Sequence, residues 1–148
     1  MSLNMIRTRS LASRYHFGQK YGEMDYFNYH LCGVARSLEN CGYSTNHVLT
    51  GYLHDILEDS DCQEYEVSYV AGFAVLDAVV ALTKGYYGEE SRRDYLKRVS
   101  KNEIARDVKI HDMSFNMLNC YKEGRIGKMS IYMADIRTLN EFIKEETN

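Results

Sequence analysis

The ionisable groups of this chain concentrate in one stretch, Val48–Asp61, which reads VLTGYLHDILEDSD. His54, Asp55, Glu58 and Asp59 place one imidazole and three carboxylates within six residues. A histidine beside an aspartate offers a cation one nitrogen and one oxygen, a pairing that suits metals of intermediate hardness. A solvated acidic face is the simpler reading of such a run. Two features weigh against it: the His–Asp adjacency, and Gly51 one turn earlier, which weakens a helix relative to alanine and clears space. Asp112 is a second signal. In a helix over 102–121, Ala105, Val108, Phe115 and Asn119 share one stripe, and Asp112 lies in its middle. A carboxylate on a buried face is costly unless it is paired or metal-bound. His30 sits at the edge of a further apolar stripe, one turn before Val34.

Together, His30, His54, Asp55 and Asp112 form a mixed nitrogen and oxygen donor set. Such a set suits Mn²⁺, Fe²⁺ or Zn²⁺ better than Ca²⁺ or a soft metal. Water bound to such an ion is acidic enough to act as hydroxide near neutral pH. Glu58 and Asp59 lie one turn beyond the donors, placed to orient that water or carry its proton.

The donors need helices to hold them, and the apolar periodicity supplies these. A helix is expected over 5–17, a glycine-containing loop over 18–25, and a second helix over 26–41 with Phe27, Leu31, Val34 and Leu38 as its stripe. Ser44 or Thr45 caps a third helix, which carries the acidic stretch through 61 with Val48, Leu49, Tyr52, Leu53, Ile56 and Leu57 on one face. Helices over 64–83, 90–99, 102–121 and 129–143 follow, with loops at 85–90 and around Gly124 and Gly127. No useful alternation of strand type appears. The fold class is all-α, one domain over 1–148. His16 and His47 read as packing or surface residues.

Composition narrows the function. The net charge of −3 argues against a general nucleic-acid binder, which needs a basic surface. No apolar run is long enough to span a membrane. The start lacks an apolar signal segment, and the four cysteines form no C-x-x-C motif, so reduced thiols and a cytoplasmic location are expected. There is no proline, where about seven would be average, so glycine and asparagine must make the turns. The oligomeric state is left open, with a homodimer as one option.

These residues resemble the HD-domain phosphohydrolases, most closely the hydrolase domain of the RelA/SpoT group and its small stand-alone metazoan SpoT homologues. The matching pieces are Tyr26-x-x-Tyr29-His30 with Val34-Ala35, LHDILEDSD at 53–61, Leu82-Thr83-Lys84, and VKIHDMSFNM at 108–117, within residues 12–118. The resemblance implies an HD helical bundle and one metal, usually Mn²⁺, on His30, His54, Asp55 and Asp112. It implies that Glu58 and Asp59 handle the nucleophilic water and that Asn116 contacts substrate. The implied reaction removes the 3′-pyrophosphate of guanosine tetra- or pentaphosphate, giving GDP or GTP and pyrophosphate. The chain departs from the family where an Arg-Lys pair normally precedes the Tyr-x-x-His segment: Tyr21 and Gly22 stand there. Asp25 stands where the family has proline, and His111 where a small residue precedes the aspartate. The candidate cations for a phosphate substrate are Arg14, Lys20, Lys84 and Lys109. The competing functions are an HD-type nucleoside 5′-monophosphate phosphatase and a non-catalytic nucleotide-binding helical module.

Overall fold

Polar side chains fix where the helices begin. In the computed structural model, which describes residues 1–148, Ser2 caps α1 (Leu3–Tyr15), Ser44 caps α3 (Thr45–Leu53), Ser91 caps α7 (Arg92–Ser100) and Asn102 caps α8 (Glu103–Lys122). Each accepts a hydrogen bond from a backbone N–H three residues on, which satisfies one of the orphan donors of a helix start. The other elements are α2 (Cys32–Asn40), α4 (Ile56–Asp59), α5 (Glu64–Ala71), α6 (Phe73–Leu82) and α9 (Ile126–Thr147). The chain is an all-α bundle, and no helix is long and apolar enough to cross a membrane.

Four boundaries differ from the sequence reading. The expected loop at 18–25 contains a small antiparallel hairpin, β1 (Lys20–Tyr21) and β2 (Met24–Asp25), with Lys20 opposite Asp25 and Tyr21 opposite Met24. The expected helix over 26–41 opens with a π-helical segment, Tyr26–Leu31, before α2. A π turn holds one more residue than an α turn and is frequent at functional sites. The helix expected over 64–83 is split by Gly72, whose φ of 88° ends α5 and lets α6 start in a new direction.

The fourth difference matters most for function. The acidic stretch is two helices, not one. Asp55 leaves helical geometry, with φ −104° and ψ 0°, and separates α3 from α4. Neighbouring side chains on a continuous α-helix point about 100° apart, because the helix has about 3.6 residues per turn. The break allows His54 and Asp55 to turn into the same space.

Two apolar clusters make the core. One joins Leu11 and Ala12 of α1 to Leu31, Leu49, Leu53, Ile56, Val67 and Val75. The other joins Val34 and Leu38 of α2 to Leu82, Tyr95, Val99, Val108, Met113, Leu139 and Phe142. Gly51 does clear space, and α2 is what fills it. A Cβ there would lie 3.0 Å from Leu38 Cδ1 and 3.1 Å from Ala35 Cα, so glycine is what lets α2 and α3 approach. Gly33 serves α8 in the same way: a Cβ there would fall 2.4 Å from the Phe115 ring, which packs edge-on against His30 at 4.9 Å.

Candidate functional site

Three elements bring the proposed donors together. The π segment supplies His30, the α3–α4 break supplies His54 and Asp55, and the middle of α8 supplies Asp112. His30 Nε2 lies 3.0 Å from Asp112 Oδ1 and 3.9 Å from Asp55 Oδ2. His54 Nε2 lies 3.1 Å from Asp55 Oδ2 and 3.4 Å from Asp112 Oδ1. Both imidazoles and Asp112 are buried, and Asp55 is half-buried.

The tautomer of His54 shows what this cluster suits. Its Nδ1 is 2.7 Å from the carbonyl oxygen of Gly51, which can only accept, so Nδ1 carries the proton. In the neutral ring, Nε2 then presents a lone pair to two carboxylate oxygens. It is buried and makes no hydrogen bond, despite those short distances. Two things relieve that repulsion: a second proton on the ring or a cation among the donors. Burial disfavours charge on His54, but Asp55 and Asp112 outweigh it and hold the imidazole well above its ordinary range. Asp55 is itself drawn down to about 2: burial opposes its charge, and the neighbouring charge of His54 overcomes that. Ligand atoms of His30, His54 and Asp55 all lie within 4.8 Å of one another, and Asp112 closes the set. The donors therefore fit a single divalent ion.

Other contacts orient these groups. Tyr26 donates its hydroxyl to Asp55 Oδ2. Tyr21 stacks on the His30 ring at 5.0 Å and 13°, and donates to Asn116 Oδ1 at 2.7 Å. Lys109 Nζ reaches Asp112 Oδ2 at 3.0 Å. Despite the cost of burial, that cation helps hold Asp112 well below the usual carboxylate range.

His30, Asp55 and Asp112 form the floor of a cavity of about 380 Å³, which Glu58, Asp59 and Asn116 also line. Glu58 is steadied by the backbone N–H of Lys84, which donates to its Oε1 at 2.8 Å. Asp59 is pushed up to about 6 by partial burial and by the charges of Asp55 and Glu58. A carboxylate with such a value is matched to proton transfer near neutral pH.

The expected cations divide. Lys20 lines the cavity. Arg14 does not: it lies 3.6 Å from Glu66 and faces a groove between α1 and α5. The Lys84 side chain is not on the wall, and Lys109 is committed to Asp112. His111 also stands apart, against Ser37 and Tyr43. The sequence reading missed Arg125, Lys128 and Tyr132, which complete the wall from the start of α9. A signal for the two cations was present. A helix start carries partial positive charge and favours acids, yet here Arg125 caps α9, Lys128 follows, and no acid occupies the first turn.

No family model matches the chain, and no curated protein matches it. Among solved structures, one reported as a metazoan ortholog of SpoT that hydrolyses ppGpp and plays a role in starvation responses superposes with a TM-score of 0.76. The match covers 99% of this chain and 97% of that one, at 19% identity. The chain thus has, along essentially its whole length, the fold of this metazoan SpoT ortholog.

Proposed function

We propose that the protein is a divalent-metal-dependent nucleotide phosphohydrolase that cleaves the 3′-pyrophosphate from guanosine tetra- or pentaphosphate. The observation that carries this reading is the convergence of His30, His54, Asp55 and Asp112 beneath a cavity that also holds two free carboxylates and three cations. The fold shared with a ppGpp hydrolase supports the same reaction class.

His30, His54, Asp55 and Asp112 would hold Mn²⁺, or Fe²⁺ or Zn²⁺ in its place. Such an ion supplies Lewis acidity to a phosphoryl oxygen and to water. The remaining work falls to this chain's own groups. Asp59, ionised above about pH 6, accepts a proton from the attacking water, and Glu58 orients it. Lys20, Arg125 and Lys128 offset the phosphate charge on the wall. Asn116 contacts the nucleotide, its amide held by Tyr21. Tyr21 and Gly22 occupy the place of the family's Arg-Lys pair, so the cations from α9 take a larger share of phosphate binding here. A small nucleotide substrate and reduced thiols fit a cytoplasmic enzyme.

Purified protein with Mn²⁺, incubated with a nucleotide panel including ppGpp and nucleoside 5′-monophosphates, tests the reading by chromatography of products. Pyrophosphate and GDP appear from ppGpp, and Asp55→Ala abolishes them. Free phosphate released from monophosphates, with ppGpp intact, would replace the substrate and keep the reaction class. No turnover of any nucleotide would end the enzymatic reading.

A further inference from the structure

His16 is a buried imidazole that the chemistry above does not use. It is the C-cap of α1, 1% exposed, with its ring 5.4 Å from that of Tyr26. Its Nε2 is buried without a hydrogen-bond partner. Its one polar side-chain contact is Nδ1 to Gln19 Oε1, at 2.7 Å. A group that served only to fill this space would be cheaper as an apolar ring, since an unsatisfied buried nitrogen costs roughly 1–3 kcal/mol. The bond to Gln19 is the one polar contact that offsets this cost.

The backbone oxygen of Asp59, which can only accept, settles the orientation of the Gln19 amide. Gln19 Nε2 donates to the backbone oxygen of Asp59 at 3.0 Å, which leaves Oε1 to accept from His16 Nδ1. The Gln19 carbonyl also accepts the backbone N–H of Tyr26 at 3.0 Å, where the π segment begins. Gln19 is therefore a junction. Its backbone fixes the start of the segment that carries His30, and its side chain fixes the end of α4. The α4 helix is four residues long and carries Glu58 and Asp59. So short a helix has few bonds of its own; its Asp59 N–H closes only on Asp55 O, at 2.9 Å.

We propose that Gln19 is a positioning residue for the Glu58–Asp59 pair, and that the buried His16 ring anchors the Gln19 amide where it reaches the backbone of Asp59. The relay His16–Gln19–Asp59 holds the proton-handling carboxylates at a fixed place relative to the metal donors without touching either substrate or metal. Its catalytic consequence rests on the phosphohydrolase reading; its structural consequence does not.

Gln19→Met keeps the side-chain length and removes both bonds. His16→Phe keeps the buried ring and removes the anchor of the Gln19 amide, and it serves as a second probe should the first variant fold poorly. Three quantities are measured in each: exchange of the Asp59 amide proton by NMR, Mn²⁺ affinity by calorimetry, and kcat and KM for ppGpp. The loss of one backbone tether speeds Asp59 exchange about tenfold. Mn²⁺ affinity stays within about twofold, because the four donors keep their own contacts. The kcat falls about tenfold with KM little changed, as expected when a proton acceptor is displaced and binding groups are not. A general packing role would instead lower thermal stability and metal affinity together and leave kcat per folded molecule intact. Unchanged exchange in both variants, or faster exchange with unchanged kcat, overturns the relay. If the wild type turns over no nucleotide, the hydrolase reading falls, and the relay is judged on the exchange rates alone.

Discussion

Lys109→Met tests whether Asp112 is held as a buried carboxylate. The two side chains meet at 3.0 Å and are 13% and 7% exposed, so the pair is largely withdrawn from water. At an effective dielectric of about 20, a direct attraction at that distance is roughly 5 kcal/mol, before the cost of desolvating both charges. Methionine keeps most of the packing of the lysine stem and loses only what the ammonium makes, its pair with Asp112 and its contact with the Tyr95 ring, 5.5 Å from the centroid. The variant therefore reports mainly the charge. Removing one member of a buried pair costs about 3–5 kcal/mol, and we expect the lower end, because His30 and His54 also face Asp112. With a urea m-value near 2 kcal/mol/M, the midpoint drops by about 1.5 M at pH 8. The dependence on pH has a definite sign. Asp112 has a depressed value in the fold, so its charge contributes stability above its unfolded value and loses it on acidification. Without Lys109 that value rises, and protonation of Asp112 or His54 relieves the unpaired charge. The difference from wild type is thus greatest at pH 8 and shrinks towards pH 5. A loss below 1 kcal/mol at pH 8, or one that grows on acidification, would refute the claim that Lys109 compensates a buried anion.

Asp59, raised to about 6, predicts an acid limb in kcat/KM near pH 6, since activity requires the ionised form; Asp59→Asn removes that limb, read from pH–rate profiles. Gly51→Ala gains about 1 kcal/mol of helix propensity but meets Leu38 and the Ala35 backbone, so it lowers stability by a net 1–2 kcal/mol or so in thermal unfolding. The Arg125→Ala, Lys128→Ala double variant raises KM for ppGpp about tenfold while Mn²⁺ affinity, measured by calorimetry, stays as in the wild type.

Asp112, His54 and Asp55 stood out in the sequence because each broke a local rule, whereas His30 alone, at the edge of an apolar stripe, did not. Asp112 falls in the middle of an apolar stripe, and His54 and Asp55 are adjacent polar residues next to a strongly apolar face. Spacing could not show how they meet. The apolar positions from Val48 to Leu57 continue through the α3–α4 break at helical intervals, so periodicity alone predicts one unbroken helix. The break at Gly72 was hidden in the same way, within the apolar run from Ala71 to Leu82. Arg14 was misplaced because a basic residue on an amphipathic helix carries no mark of which neighbour its face will meet. The hairpin escaped notice because two residues per strand are too few to show alternation. Arg125 and Lys128 lie beyond the motif, and only the return of α9 along α8 brings them to the cavity.

The distribution of charge within that cavity limits how the proposed substrate can sit. The floor holds Asp55 and Asp112 with Glu58 and Asp59 beside them, and Lys109, which does not line the cavity, is already matched to Asp112. A phosphate approaching this floor alone would meet repulsion. Lys20, Arg125 and Lys128 lie on the wall instead, and Arg125 is shared with Glu123 at 2.7 Å. The wall can hold phosphates that are not being cleaved, while the floor accepts the reacting phosphate only once a divalent charge offsets its carboxylates. A nucleotide phosphorylated at two separated positions satisfies both conditions, with one group on the wall and the other over the floor. A 5′-monophosphate has a single group and must give up one of them. Tyr21 serves the floor rather than the phosphates: its ring stacks on His30 and its hydroxyl holds Asn116, while Arg125 and Lys128 at the start of α9 supply positive charge.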